Sequence, residues 1–327
     1  MGFVDLQVNG YKGVDFSDPK LTLESITFIS KELCKFGVIG YCPTLISSTL
    51  ETYKHNLRLI SEAMNQKIGA QILGIHLEGP FINPEIGVRG IHPQENIISP
   101  SIDLFEKFQK WAQNQIILIT IAPEVKDAFD LIENILDTSD IVVSIGHTNA
   151  GKQIIKKAID TGIQAATHVG NGLQNMIHRH DNPLWPILAD QRVYGLFITD
   201  GFHLPDDLIK VSLRSKGSSR FIVTSDLVYI AGLNPGLYNF HGDSVILEKK
   251  GLLHSQDSEY LAGSTKMMFE CMNYLSFLGG LNEKGLHKVG YENPLNLISK
   301  KIEKERIKQL PKIHYLDNQF VLKKKID

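Results

Sequence analysis

Several things are scarce in this chain, and each scarcity excludes something. There are three cysteines, Cys34, Cys42 and Cys271, scattered without paired spacing. That pattern argues against a disulfide framework and a thiolate zinc site, and it reads as small buried hydrophobes in a reducing compartment. Neither sign of charge dominates: 34 Lys and Arg face 36 Asp and Glu, a formal net charge of -2. With no basic footprint, a nucleic-acid partner is not expected. Met1 leads straight into Gly2-Phe3-Val4-Asp5, with no charged leader, no small-residue cleavage site and no apolar run long enough for a bilayer. The expectation is a soluble cytoplasmic protein with no membrane partner. No Gly-x-Gly-x-x-Gly follows the first strand-like run, which argues against a dinucleotide fold. Internal repeats, low-complexity tracts and linkers are also missing.

What remains is a chain of 327 residues, 43% hydrophobic, able to bury a large core. Strand-like and helix-like runs alternate, the pattern of a parallel sheet. Strand-like runs are expected at Phe3 to Val8, Val38 to Ile46, Ala70 to Leu77, Gln115 to Ile121, Ile141 to Ile145, Gln164 to Thr167, Val193 to Ile198 and Phe221 to Thr224. Between them, Thr22 to Phe36 carries Leu23, Ile26, Ile29 and Leu33 on one helical face. Leu50 to Met64, Ile102 to Trp111, Val125 to Leu136 and the segment of Ile154, Ile155, Ala158 and Ile159 follow suit. Eight runs close most economically into an α/β (β/α)8 TIM-type barrel, with an open doubly wound sheet as the alternative. Two segments break the alternation. Residues 227–262 hold a β-hairpin insertion after strand 8, and 301–327 reads as a charged helix followed by a hairpin over Ile313 to Ile326. The division expected is therefore a barrel over 1–300 and a C-terminal extension over 301–327.

The chemistry gathers at strand ends. Glu78 stands where an apolar run stops at Gly79-Pro80, and His147, His168, His203 and Asp226 end other runs. A barrel brings such positions to one rim. Any one of them reads equally as a turn cap, an ion-pair partner or a satisfied core residue. Together, Glu78, His147 and His168 make a three-ligand set suited to a divalent ion such as Zn²⁺, with a position left for water or substrate. Asp226 is placed to take a proton from that water and return it to a leaving nitrogen.

These residues sit in blocks: Gly2-Phe-Val-Asp-Leu-Gln-Val-Asn-Gly10, His76-Leu-Glu-Gly-Pro80, Arg89-Gly-Ile-His92, Ser144-Ile-Gly-His-Thr-Asn-Ala150, Ala166-Thr-His-Val-Gly-Asn171, Asp200-Gly-Phe-His203, Val223-Thr-Ser-Asp226 and Leu261-Ala-Gly-Ser264. In that order, over Gly2 to Asn296, the chain resembles the N-acetylglucosamine-6-phosphate deacetylase family of the amidohydrolase superfamily. The resemblance implies metal binding by Glu78, His147 and His168 and general acid/base work by Asp226. It implies polarisation of the acetamide carbonyl by His92, and sugar-phosphate binding by Asn171, the Gly172 backbone, Arg179 and His203. In relatives the residue matching Arg179 reaches the neighbouring subunit's site, so a homodimer is implied. His76, one pleat below Glu78, is expected to support the site rather than join it.

Departures from the family matter too. Gln7 and Asn9 stand where many amidohydrolases carry His-x-His for two metals, so one ion, zinc or else Fe²⁺ or another transition metal, is expected. The family's segment before the first strand, part of a small β-domain, has no counterpart here. That leaves the insertion and the C-terminal hairpin as the expected remnant of a reduced domain. The stretch Val169 to Trp185 brings in Gly170, Gly172, His178, His180 and Trp185. It reads either as a polar loop with Trp185 anchored in the core, or as a pocket reshaped for another N-acyl amine. The expected reaction is metal-dependent hydrolysis of an acetamide, most simply of N-acetylglucosamine 6-phosphate. A cyclic amide, another N-acyl amine or a catalytically silent sugar-phosphate binder are the rival readings.

Overall fold

A computed structural model describes residues 2–258, 260–304 and 312–323. Among them, eight parallel strands follow one another around a barrel: β1 Phe3–Val8, β2 Val38–Leu45, β3 Ile75–Glu78, β4 Ile116–Ile121, β5 Val142–Ile145, β6 Ala165–Ala166, β7 Tyr194–Ile198 and β8 Phe221–Thr224. Each pairs with the next in chain order, so there is no reversal point and the doubly wound alternative is excluded. Closure comes just past the strands, where Val8 bridges Leu227 and the Asn9 N–H donates to the Leu227 carbonyl at 2.8 Å. The strands are buried on both faces because helices cover the outside: α1 Leu23–Lys35, α2 Leu50–Ala63, α3 Ile102–Trp111, α4 Ala128–Thr138, α5 Lys152–Thr161, α6 Leu184–Ala189, α7 Asp206–Arg220 and α8 Met268–Leu278. Thr22, Thr49 and Ser101 cap α1, α2 and α3 by accepting a backbone N–H three residues on, satisfying donors that the first turn leaves free.

Several expectations need adjusting. The third run does not extend unbroken from Ala70 to Leu77. Gln71–Ile72 pairs with β2, and β3 restarts at Ile75 and includes Glu78. At the break, a Cβ on Gly74 would lie 2.5 Å from Ile117 Cδ1, so β4 can approach only a glycine. The insertion is a three-stranded antiparallel sheet, Gly236–Phe240, Asp243–Leu247 and Leu253–Ser255, one strand more than a hairpin. Its core of Val228, Ile230, Phe240, Val245 and Leu253 lies beyond the carboxyl end of β8. The C-terminal hairpin, Lys312–Leu316 with Gln319–Lys323, is a separate sheet at the opposite end. There Phe320 packs edge-on against Phe3 at 5.1 Å, and Ile313 meets the Gly37 turn before β2. The two pieces expected as one remnant domain therefore share no sheet. The charged helix expected from Lys300 falls largely outside the described residues.

The barrel interior is layered by the two-residue period of its strands. Leu118, Val142, Leu196 and Ile222 form an apolar layer, closed below by Leu295, Ile298 and Ile302. Two residues further along β4 and β5 come Thr120 and Ser144, in a buried polar layer with His76 and Thr167. His76 Nε2 lies 2.8 Å from Thr120 Oγ1, which lies 2.8 Å from Thr167 Oγ1, itself 2.7 Å from Ser144 Oγ. His76 is thus committed to hydroxyls beneath Glu78, and burial pushes its pKa down to about 4, leaving it neutral. Among the described residues no helix is long and apolar enough to cross a membrane.

Candidate active site

Above the hydroxyl layer the strand ends converge. Glu78 Oε1 lies 3.2 Å from His147 Nε2 and 2.9 Å from His168 Nε2, and the two ring nitrogens are 3.0 Å apart. All three side chains are buried. His147 Nδ1 lies 2.8 Å from the Val88 carbonyl. A carbonyl only accepts, so that nitrogen carries a proton, and the neutral tautomer this selects turns a bare Nε2 toward Glu78 and His168. Lone pairs converge here with too few protons to separate them, and a cation resolves that conflict. Ligands about 2.0–2.1 Å from zinc at tetrahedral angles lie about 3.3 Å from one another, close to the spacings seen. The residues present therefore fit a divalent ion.

Backbone geometry also marks the rim. His147, His168 and Asp226 have φ of 48°, 29° and 52°, in the left-handed region that residues with a Cβ avoid. Such conformations cost about 1–3 kcal/mol each and are kept where the surroundings overdetermine them. They turn the chain abruptly off β5, β6 and β8 and aim the side chains across the mouth.

Asp226 is held from β1. Gln7 Nε2 bridges Glu78 Oε1 at 2.8 Å and Asp226 Oδ1 at 2.9 Å, and Asn9 Nδ2 donates to the same Asp226 oxygen at 2.7 Å. Gln7 and Asn9, legible in the sequence only as missing metal ligands, are donors that pin one carboxylate oxygen and, among the described residues, leave the other without a hydrogen-bond partner. Burial, then the nearby Glu78 carboxylate, pushes Asp226 up to about 8. A bound cation opposes that rise.

The loop after β3 brings back His92, buried against Ser47 at the end of β2. Burial, then the neighbouring His147, pushes its pKa well below the ordinary value. A cavity of about 230 Å³ opens over these groups, lined also by Ile46, Asn171, Gly172, His203, Val228, Tyr260 and Leu261. His203 Nδ1 is 2.7 Å from Asp200 Oδ2.

Arg179 is the residue the fold does not bring in. It is exposed and does not line the cavity, and among the described residues no lysine or arginine does. His178 and His180 are exposed beside it, as in a polar loop. Trp185 is 51% exposed and donates Nε1–H to the Arg179 carbonyl at 2.8 Å, so it is not a core anchor. Gly170 and Gly172 answer to packing. Their φ are 96° and 62°, and Cβ atoms there would meet Leu204 at 2.7 Å and His168 at 3.0 Å. Sequence reasoning missed Ser47 altogether and quoted Asp200 and Ser264 without giving them a task.

The profile of the amidohydrolase family matches residues 1–236. N-acetylglucosamine-6-phosphate deacetylase of Bacillus subtilis (strain 168) is 32% identical over 273 residues, covering 82% of this chain and 67% of its own length. The enzyme of that name from Caenorhabditis elegans is 32% identical over 290 residues, covering 84% of this chain and 67% of its own. Among solved structures, N-acetylglucosamine-6-phosphate deacetylase from Thermotoga maritima aligns over 91% of this chain and 78% of its own, with a TM-score of 0.80 and 27% identity.

Proposed function

The chain belongs to the amidohydrolase family and, within it, to the N-acetylglucosamine-6-phosphate deacetylases, and on that premise we propose how its cavity removes the acetyl group. The overall reaction is hydrolysis of the acetamide C–N bond of N-acetylglucosamine 6-phosphate to glucosamine 6-phosphate and acetate. The observation that supports the division of roles is the meeting of Glu78, His147 and His168 beside Asp226 and His92 at one barrel mouth.

Glu78, His147 and His168 would hold one divalent ion. Bound there, it supplies Lewis acidity and lowers the pKa of water. Two nitrogens and one oxygen suit zinc, with Fe²⁺ the next choice. Asp226, pinned through Oδ1, offers Oδ2 to take the proton of the attacking water and deliver it to the nitrogen as the C–N bond breaks. His92 donates Nε2–H to the carbonyl oxygen as negative charge builds there. Asn171, the Gly172 backbone and His203 receive the sugar phosphate. Among the described residues no Lys or Arg lines the cavity, which favours a homodimer in which exposed Arg179, three residues after 87%-exposed Met176 and with its carbonyl accepting from the Trp185 indole, reaches the neighbouring copy's phosphate as a planar fork of donors. A cytoplasmic setting, and a reading of 301–327 as an extension of one barrel domain, complete the proposal.

Acetate release from phosphorylated and unphosphorylated N-acetyl sugars, N-acetyl amino acids and cyclic amides tests the reading. Turnover confined to the phosphorylated N-acetyl sugar is expected. Preference for a cyclic amide, or ligand binding without turnover by the metal-loaded protein, overturns it.

A further inference from the structure

Two residues outside the proposed reaction converge on one ring of the cavity. The Asp200 carboxylate, buried at the end of β7, has both oxygens engaged twice. Oδ1 accepts the backbone N–H groups of Phe202 at 2.8 Å and His203 at 2.9 Å. Oδ2 lies 2.7 Å from His203 Nδ1 and accepts the Ser264 hydroxyl at 2.9 Å. A carboxylate so saturated has no capacity left for a substrate, and Asp200 does not line the cavity, whereas His203 does. Ser264 ties in a second loop. Its N–H donates to the Asp226 carbonyl at 3.0 Å, and its own carbonyl accepts from Val228 at 3.0 Å.

We infer that Asp200 and Ser264 are positioning residues, which fix the His203 ring with a protonated Nδ1 turned inward and Nε2 presented to an anionic oxygen of the substrate. Burial works to raise the Asp200 pKa, yet the opposing charge and hydrogen bonds of His203 bring it down to about 2, so the acceptor stays ionised. With the carboxylate on Nδ1 and a substrate oxygen on Nε2, both of them acceptors, the ring is set to donate from both nitrogens once the substrate is bound. The serine makes the placement of that ring depend on the segment returning from the insertion, and the Ser264 main chain steadies the Asp226 turn at the same time.

The inference rests on the deacetylase reading for its substrate but not for its spectroscopic test. With metal-loaded protein, Asp200→Asn and Ser264→Ala are compared with His203→Gln and with the Asp200→Asn/His203→Gln double variant. For the phosphorylated sugar, Asp200→Asn is expected to raise KM about tenfold, the scale of a lost charged hydrogen bond, with kcat nearly unchanged. Ser264→Ala gives a smaller rise, and the double variant is no worse than His203→Gln. ¹⁵N resonances of the His203 ring should move in Asp200→Asn. Additive effects in the double variant, a fall in kcat at constant KM, or unchanged ring resonances overturn the inference. If the wild type releases no acetate, the deacetylase reading fails, and the ring resonances decide the positioning role alone.

Discussion

His92 and Ser47, far apart in the chain, meet twice at one atom: the Ser47 backbone N–H donates to His92 Nδ1 at 3.2 Å, and the Ser47 hydroxyl lies 2.9 Å from the same nitrogen. An amide N–H only donates, so Nδ1 is bare and the single proton of the neutral ring sits on Nε2. This fixes the tautomer that a carbonyl-polarising imidazole needs. Its depressed pKa keeps the ring from changing charge near neutrality.

His92→Asn should therefore lower kcat about 10²–10³-fold, the usual effect of removing one oxyanion donor, while metal content stays at the wild-type value. Steady-state rates alongside metal analysis check this. Wild-type turnover in the variant would remove His92 from the reaction.

Asp226→Asn should cost more, up to about 10⁴-fold, because an amide cannot carry the proton in either direction. The Gln7 and Asn9 donors can still meet the amide oxygen, so the fold and metal site should persist. Near-normal acetate release would assign proton transfer elsewhere.

Lys216 gives a test of stability independent of the cavity. Its buried ammonium donates to the Asp190 and Val193 carbonyls at 2.6 and 3.0 Å, and burial lowers its pKa from 10.5 to about 8. Between those values the unfolded chain holds a proton that the folded chain has released. Lys216 should therefore add stability as pH rises from about 8 to 10.5, and lose that contribution as pH falls back through 8. Denaturant titrations of wild type and Lys216→Met across this range should show the difference between them changing with that sign. A constant difference would mean that the ammonium titrates normally.

Much of this was legible because a parallel barrel writes itself into a chain as apolar runs that stop at polar residues. Glu78, His147, His168 and Asp226 are such stops, and the fold brings them to one rim. Partners were harder, since nothing local marks them. Ser47 matters through a loop that returns from β3, and Thr120, Thr167 and Ser144 engage His76 only because neighbouring strands align in register. Helices α6, α7 and α8 were not read. Helix α6 is short, α7 carries a non-helical Gly217, and α8 is apolar around most of its circumference, so none shows a clear amphipathic stripe. Trp185 misled because its size suggests a core, whereas its indole N–H serves a surface carbonyl.

The proposed activity depends on one ion held by three side chains. The decisive measurement is metal stoichiometry of the purified protein and of Glu78→Gln, His147→Asn and His168→Asn, with acetate release followed through chelation and re-addition of zinc. One equivalent per chain in the wild type, its loss in each variant, and activity that vanishes and returns with the metal are the predicted results. Full turnover in the chelated protein, or undiminished metal binding in all three variants, would contradict it.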